Sequence, residues 1–258
     1  MHVVVVTKAT PDTAAKISVA DGAVTWDEAM VLNPWDEYSV TQAVLLKDEH
    51  KAQVTILTLG TEEHAEALKQ GLAIGCDQAI RIWDDGLENH DSLQYAQAVA
   101  AAIQKLDDVG LVIFGKEFAD TGTNQHVYQV ARKLGFNALG SVSKLLALNP
   151  DNGSIRVERA VEHGTETVSS KLPAVIGVLK DITEPKYPSF IGIRKAAKAK
   201  IPVWDLAELS IEAGQTRVTV TSYTEPPRRE GEVELIDGDD PRAIAEQLAD
   251  RLIEEKLI

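Results

Sequence analysis

Apolar runs alternate with amphipathic stretches through the first half of the chain, and that alternation predicts its fold. Val3 to Val6 is a short run of β-branched residues, too short for a helix, and reads as a strand ending near Lys8. The turn formers Pro11 and Asp12 follow. KISVADGAVTW then alternates around Asp21-Gly22, a residue pair that closes two-residue hairpins, so a hairpin is inserted after the first strand. VLNPWDEYSVTQAVLLKDEH carries a helix start, with Asn33 as N-cap, Pro34 at the first helical position and Asp36 and Glu37 in the first turn. Val40, Ala43 and Val44 supply its apolar stripe. QVTILTLG predicts a second buried strand, and TEEHAEALKQGLAIG an amphipathic helix capped by Thr61. Strand QAIRIWDD, helix SLQYAQAVAAAIQKL and strand GLVIFG complete the series. Strands alternating with helices imply a parallel sheet covered on both faces with right-handed crossovers, the order of neighbours being left open.

The stretch GLVIFGKEFADTGTNQHVYQVA stands out within this pattern. Leu111 to Phe114 read as a strand buried on both faces, and Gly115 onward as a ligand-facing turn that leads into a helix. The first N–H groups of a helix are unpaired and its dipole is positive there, so a phosphate can be held without arginine. Open parallel sheets bind ligands beyond the carboxyl ends of their strands, where the strand order reverses. Three loops fall at such ends: Val6 to Pro11, Leu59-Gly60, and Gly115 to Asn124. Neither a Walker sequence nor GxGxxG accounts for them.

Past Gly135 the pattern changes. SVSKLLALN, SIRVERAVEH, TETVSSK and AVIGVL read as successive strands joined by turns at residues 149–153 and at His163-Gly164, a hairpin-rich section. In DITEPKYPSFIGIRKAAKAKIPVW, Pro185 and Pro188 oppose regular structure and leave Phe190 and Ile191 in a loop-like setting. Arg194, Lys195, Lys198 and Lys200 form the dense basic run of an acidic chain, either a solvated helix face or, with the neighbouring apolar residues, a docking segment for an acidic partner. TRVTVTSYTEPPRREGEVELID reads as one strand followed by an extended charged segment. Asp240 and Pro241 then open a terminal helix running to Ile258, which together suggest an arm reaching a neighbouring chain.

Composition narrows the function classes. A chain of 258 residues with 44% hydrophobic and 26% charged residues buries a full core and reads as an ordinary globular protein. No apolar run approaches the roughly 20 residues that span a bilayer, and the N-terminus lacks a basic region followed by a long apolar segment, so a cytoplasmic protein without membrane insertion is expected. The formal net charge of −14 disfavours nucleic acid and anionic membranes as partners. Cys76, the only cysteine, excludes an intrachain disulfide and argues against a metal or iron–sulfur centre; its apolar setting reads as a buried structural thiol.

Together, LNPWDE, GKEFADTGTNQ, SKLPAV and above all EPKYPSFIGIRKAAKAKI resemble the β subunit of electron transfer flavoprotein over nearly the whole chain. The resemblance implies an adenine-nucleotide alpha-hydrolase-like (Rossmann-like) α/β domain over residues 1–205, including a docking loop near 180–200. It implies a C-terminal extension, 206–258, that embraces an α subunit carrying the redox-active FAD. It also implies a structural AMP in this chain, with no catalytic residue and no metal. Carried over by motif, the AMP contacts would be Val6, Asn33, Pro34, Trp35, Asp36, Leu59, Gly60, and Gly115, Lys116, Asp120, Thr121, Gly122, Thr123, Asn124, Gln125 and His126. From the residues alone Asn33 is a cap; the resemblance adds a ligand role, with Asn33 reading the adenine edge. Asp120-Thr121-Gly122 and His126-Val127 depart from the family pattern, His126 being able to donate a hydrogen bond or, if protonated, a charge to the phosphate.

The same resemblance assigns docking to Tyr187, Phe190, Ile191, Arg194 and Lys195. Its partners would be flavin dehydrogenases such as the acyl-CoA dehydrogenases of fatty acid oxidation, from which electrons pass to a quinone oxidoreductase. Two other readings compete. One is a bifurcating member whose β pocket holds a second FAD oxidising NADH. The other is a stand-alone adenine-nucleotide-binding protein of the stress-protein kind, which the long section after Gly135 argues against.

Overall fold

The computed structural model describes residues 1–227 and 233–258, in two compact units, Met1–Tyr223 and Thr224–Ile258. In chain order the elements are β1 (His2–Thr7), β2 (Ala9–Pro11), β3 (Ile17–Ala20), β4 (Ala23–Trp26), β5 (Met30–Leu32), α1 (Pro34–His50) and β6 (Gln53–Leu59). Then come α2 (Ala65–Ile74), β7 (Gln78–Ile82), α3 (Ser92–Gln104), β8 (Val109–Gly115) and α4 (His126–Leu134). The remainder is β9 (Asn137–Asn149), β10 (Ser154–Val161), β11 (Gly164–Lys171), β12 (Ala174–Val178), α5 (Phe190–Ala196), β13 (Val203–Trp204) and α6 (Pro241–Glu254).

Nine strands form one sheet in the order β11-β10-β9-β12-β8-β1-β6-β7-β13. All pairings from β9 to β13 through the centre are parallel, and only the β9-β10-β11 meander is antiparallel. Period-two alternation within the parallel strands sends side chains into two cores. Val3, Val5, Ile56, Leu111 and Ile113 pack with residues of α1 and α2 such as Val40, Val44 and Leu68. Val4, Val6, Leu57, Val112 and Phe114 pack with residues of α3 and α4 such as Val99, Ile103 and Val130. The expected parallel sheet, covered on both faces, is therefore present, and each central strand is apolar on both sides because each face has its own helix layer. The hairpin predicted at Asp21-Gly22 forms as β3–β4.

From β1 the chain moves to β6 and β7 on one side, then crosses back to place β8 on the other. The strand order thus reverses between β1 and β8, whose carboxyl ends open onto the same crevice.

Several local expectations are corrected. Thr61 does not cap a regular helix: a short 3-10 turn, Glu62–His64, comes first, and α2 begins at Ala65. The hairpin-rich section is only partly that, since β9 and β12 are parallel members of the central sheet, with β12 inserted between β8 and β9. Phe190 and Ile191 lie in a short helix rather than a loop, because Ser189 caps it by accepting from Gly192 N at 3.0 Å. The strand read at Thr216 to Tyr223 is not formed: the segment pairs with no strand, so its β-branched alternation has no ladder to join. The charged segment after it falls partly on residues 228–232, outside the described residues. In the second unit, Asp240 caps α6 as expected, accepting from Arg242 N at 3.1 Å, but the helix stops at Glu254.

Candidate functional site

At the reversal between β1 and β8, one carboxylate ties the two strand ends together. Asp36, in the first turn of α1, accepts Lys8 N at 2.9 Å through Oδ2 and Gly115 N at 3.2 Å through Oδ1. Asn33 extends the frame: Nδ2 donates to the Glu117 carbonyl at 2.9 Å and Oδ1 accepts from Ala119 N at 3.0 Å. The Asn33 side chain therefore does not cap α1, although the residue sits at the N-cap, and its amide is spent on the loop instead of facing a ligand. Burial pushes the Asp36 carboxyl up to about 7, against the opposing pull of the Lys8 amide, Asn33 and the Gly115 amide. Gly115 is required by the same close approach, since a Cβ there would stand 2.7 Å from the Trp35 carbonyl.

Held this way, the loop after β8 folds back on itself. Phe118 N donates to the Thr123 carbonyl at 3.0 Å, and the Phe118 carbonyl accepts from Gly122 N at 2.7 Å. The turn delivers Thr123 and Gln125 to the start of α4. Beside it lies a cavity of about 390 Å³ bounded by the ends of β1, β6 and β7 and by the first turns of α3 and α4. Its aromatic wall comprises Trp83, Tyr95, Phe118 and His126, with Phe118 and His126 stacked at 4.2 Å between ring centroids. Its polar rim includes Thr61, Ser92, Thr121, Thr123 and Gln125.

Two features make this cavity chemically incomplete. Tyr95 Oη and both ring nitrogens of His126 are buried without a hydrogen-bond partner, a condition that costs about 1–3 kcal/mol per group unless something pairs with them. The first turn of α4, at Gln125–His126, has no side-chain cap and also borders the cavity, whereas the first turn of α3 is capped by Asp91, which accepts from Leu93 N and Gln94 N. The lining's lysine, Lys8, is already paired with Asp120 at 2.6 Å. Burial pulls His126 and His64 down to about 4, and lowers His90 as well, so all three imidazoles are neutral near neutral pH. Without an anion beside it His126 is therefore a neutral imidazole, able to donate a hydrogen bond but carrying no charge.

Of the residues expected at the site, Leu59, Gly60, Asp120, Thr121, Thr123, Gln125 and His126 line the cavity. Val6 is wholly within the α3/α4 core. Asn33, Asp36 and Gly115 form the frame behind it, and Lys116 lies over the Trp35 ring at 4.8 Å, next to Pro34. Gly122 and Asn124 shape the turn without lining the cavity. Sequence reasoning missed the third wall, supplied by Trp83, His90, Asp91, Ser92 and Tyr95 after β7. The available signal was positional: this loop also follows a parallel strand.

A second region is unusual for the opposite reason. Tyr187, Phe190 and Ile191 are 87%, 89% and 82% exposed, while Ala196 at the other end of α5 is buried. Arg194 and Lys195 stand exposed beside them. The segment is nonetheless fixed: Lys186 N donates to Thr41 Oγ1 of α1 at 2.9 Å, and α5 packs against α2 so closely that a Cβ on Gly192 would overlap the Ala73 carbonyl.

The fold and cavity define a doubly wound, Rossmann-like α/β protein with a ligand-sized cleft at its topological switch point. The family model described as the electron transfer flavoprotein domain matches residues 22–209. Proteins named electron transfer flavoprotein subunit beta are 31% identical in Mycobacterium leprae, over 100% of this chain and 99% of that one, and 29% identical in Megasphaera elsdenii, over the whole of both. The Bacillus subtilis protein of the same name is 31% identical, over 89% of this chain and 90% of its own. The chain belongs to the beta-subunit branch of the electron transfer flavoprotein family. No helix among the described residues is long and apolar enough to cross a membrane.

Proposed function

We propose that this chain is the nucleotide-binding, partner-docking subunit of a cytoplasmic two-chain electron transfer flavoprotein, an electron carrier rather than an enzyme. Its α partner would carry the FAD that accepts and releases electrons. This chain would hold AMP as a structural ligand, and its extension, residues 206–258, would contact the α subunit. Exposed apolar residues such as Val233, Leu235, Leu248 and Ile253 support that last point. The observation that carries the reading is the cavity with unpaired Tyr95 Oη and His126 nitrogens, in a chain of this family. AMP fits the donor set: an aromatic wall suits a purine, and the uncapped first turn of α4 suits a monophosphate. With Lys8 engaged by Asp120, these residues bind and orient the nucleotide and carry none of the redox chemistry, which the flavin supplies.

Docking of flavin dehydrogenases such as acyl-CoA dehydrogenases, with onward transfer to a quinone oxidoreductase, would use Tyr187, Phe190 and Ile191 as anchors. Arg194 and Lys195 would steer acidic partners. A bifurcating subunit holding a second FAD is the competing reading. One observation favours it: a further cavity of about 640 Å³ beneath the β3–β4 hairpin shares Met30, Asp120 and Thr121 with the first, leaving room for a longer ligand. Copurification with the α partner, followed by release and counting of nucleotides, separates the two. About one FAD and one AMP per heterodimer is expected, and two FAD would reject the AMP reading.

A further inference from the structure

The first turn of α3 has two working faces. One lines the cavity through His90, Asp91, Ser92 and Tyr95. The other fastens a strap, residues 214–223, that ends the first compact unit and precedes the second, Thr224–Ile258, in sequence. Asp91 divides its carboxylate between these tasks. Oδ1 caps α3, accepting from Leu93 N and Gln94 N at 3.0 Å each, while Oδ2 accepts from Arg217 N at 2.9 Å. Gln94 adds Nε2 bonds to the Gly214 carbonyl at 2.8 Å and to Thr216 Oγ1 at 3.1 Å, and Thr216 Oγ1 donates to the Asn89 carbonyl at 2.9 Å. At the far end Tyr223 N donates to the Gly22 carbonyl at 3.0 Å. Between these fastenings the strap has no sheet partner, and Val218 and Val220 are exposed, so its course depends on its ends.

We propose that Asp91 is a positioning residue that couples occupancy of the cavity to the course of the strap. The inference rests on the AMP reading. A ligand held against Ser92 and Tyr95, which line the cavity, immobilises the turn whose cap is Asp91 Oδ1, and the same rigid carboxylate then presents Oδ2 to Arg217 N. Linkage makes the effect reciprocal: a fastened strap holds the turn in its ligand-ready form, so cutting the strap weakens the ligand by the same factor.

Asp91→Asn isolates the coupling, because asparagine caps a helix as well as aspartate but replaces Oδ2 with an NH2 group unable to accept from Arg217 N. Thr216→Val cuts the neighbouring fastening from the strap side, outside the cavity. Hydrogen exchange of the full chain, with and without saturating AMP, is read beside calorimetry of AMP binding. In the natural chain AMP is expected to slow exchange at residues 214–218 several-fold. In Asp91→Asn that protection is lost, and Thr216→Val raises the AMP dissociation constant about two- to tenfold, within the usual range of coupling energies. AMP binding that leaves residues 214–218 unprotected, or protection that survives in Asp91→Asn, overturns the coupling alone. Absence of AMP binding to the natural chain overturns the AMP reading, and the coupling with it.

Discussion

The cleft at the β1/β8 reversal and the α5 segment are unfinished in opposite senses. The cleft buries polar atoms that lack partners, Tyr95 Oη and the His126 nitrogens, whereas the α5 segment exposes apolar side chains that lack cover. Each arrangement is unfavourable as it stands, the first through lost hydration and the second through unburied apolar area. The difference matches the proposed roles: a small polar-and-aromatic ligand for the one surface, a protein face for the other. Their supports differ as well. The cleft's frame is tied by the side chains of Asp36 and Asn33, while α5 is fixed by close packing on α2.

Four experiments bear on that contrast, taken from the largest effect downward. Asp36→Ala leaves the amides of Lys8 and Gly115 unpaired in a buried site, and about 3 kcal/mol of stability should be lost. Urea unfolding measures it, and a loss under 1 kcal/mol would show that the frame does not depend on Asp36. Phe190→Ala should lower reduction of the assembled flavoprotein by its dehydrogenase about tenfold, the effect of one anchor worth roughly 1.4 kcal/mol. Bound nucleotide should stay constant, and unchanged reduction would remove Phe190 from the docking face.

The third experiment uses pH, where the two buried groups of the cleft act in opposite directions. Asp36, raised to about 7, keeps its proton when folded while the unfolded chain has already lost it above 3.8, so its contribution declines as pH rises between those values. His126, lowered to about 4, stays neutral when folded while the unfolded chain protonates below 6.5, so its contribution declines as pH falls through that window. Asp36→Asn should therefore steepen the loss of stability on acidification between pH 6 and pH 4.5 by about 1.4 kcal/mol per pH unit, and His126→Gln should reduce it by a similar amount. Parallel slopes in all three proteins would contradict both assignments. Smallest is Asp240→Ala, which removes the α6 cap and should cost that helix about 1 kcal/mol. Faster amide exchange confined to α6 is the expected signature, and unchanged exchange there would show that Asp240 does not cap it.

The central sheet was legible because a strand covered on both faces must be apolar throughout, as Val3–Val6 and Leu111–Phe114 are. The loop after β8 was legible for a related reason, a buried strand running into glycine and small polar residues. The wall built from Trp83 to Tyr95 was not, because which loops meet depends on strand order, and that order leaves no local trace. From the residues alone Asn33 is a cap and Asp36 a first-turn residue, sound local readings that miss contacts to residues 84 and 79 positions away in the chain. Thr216 to Tyr223 failed in the other direction, since strand propensity was present and the partner was absent.

The rigidity of the α5 segment carries a kinetic consequence for a protein acting as proposed. A flexible loop would have to order itself at each encounter, which slows association and spends binding energy on conformational entropy. With Ser189 capping the helix and Gly192 seated on Ala73, Phe190 and Ile191 are already in place before a partner arrives. A few exposed side chains on a fixed helix make a contact quick to form and, being small, quick to break. Turnover among successive electron donors is then limited by diffusion and chemistry rather than by letting go.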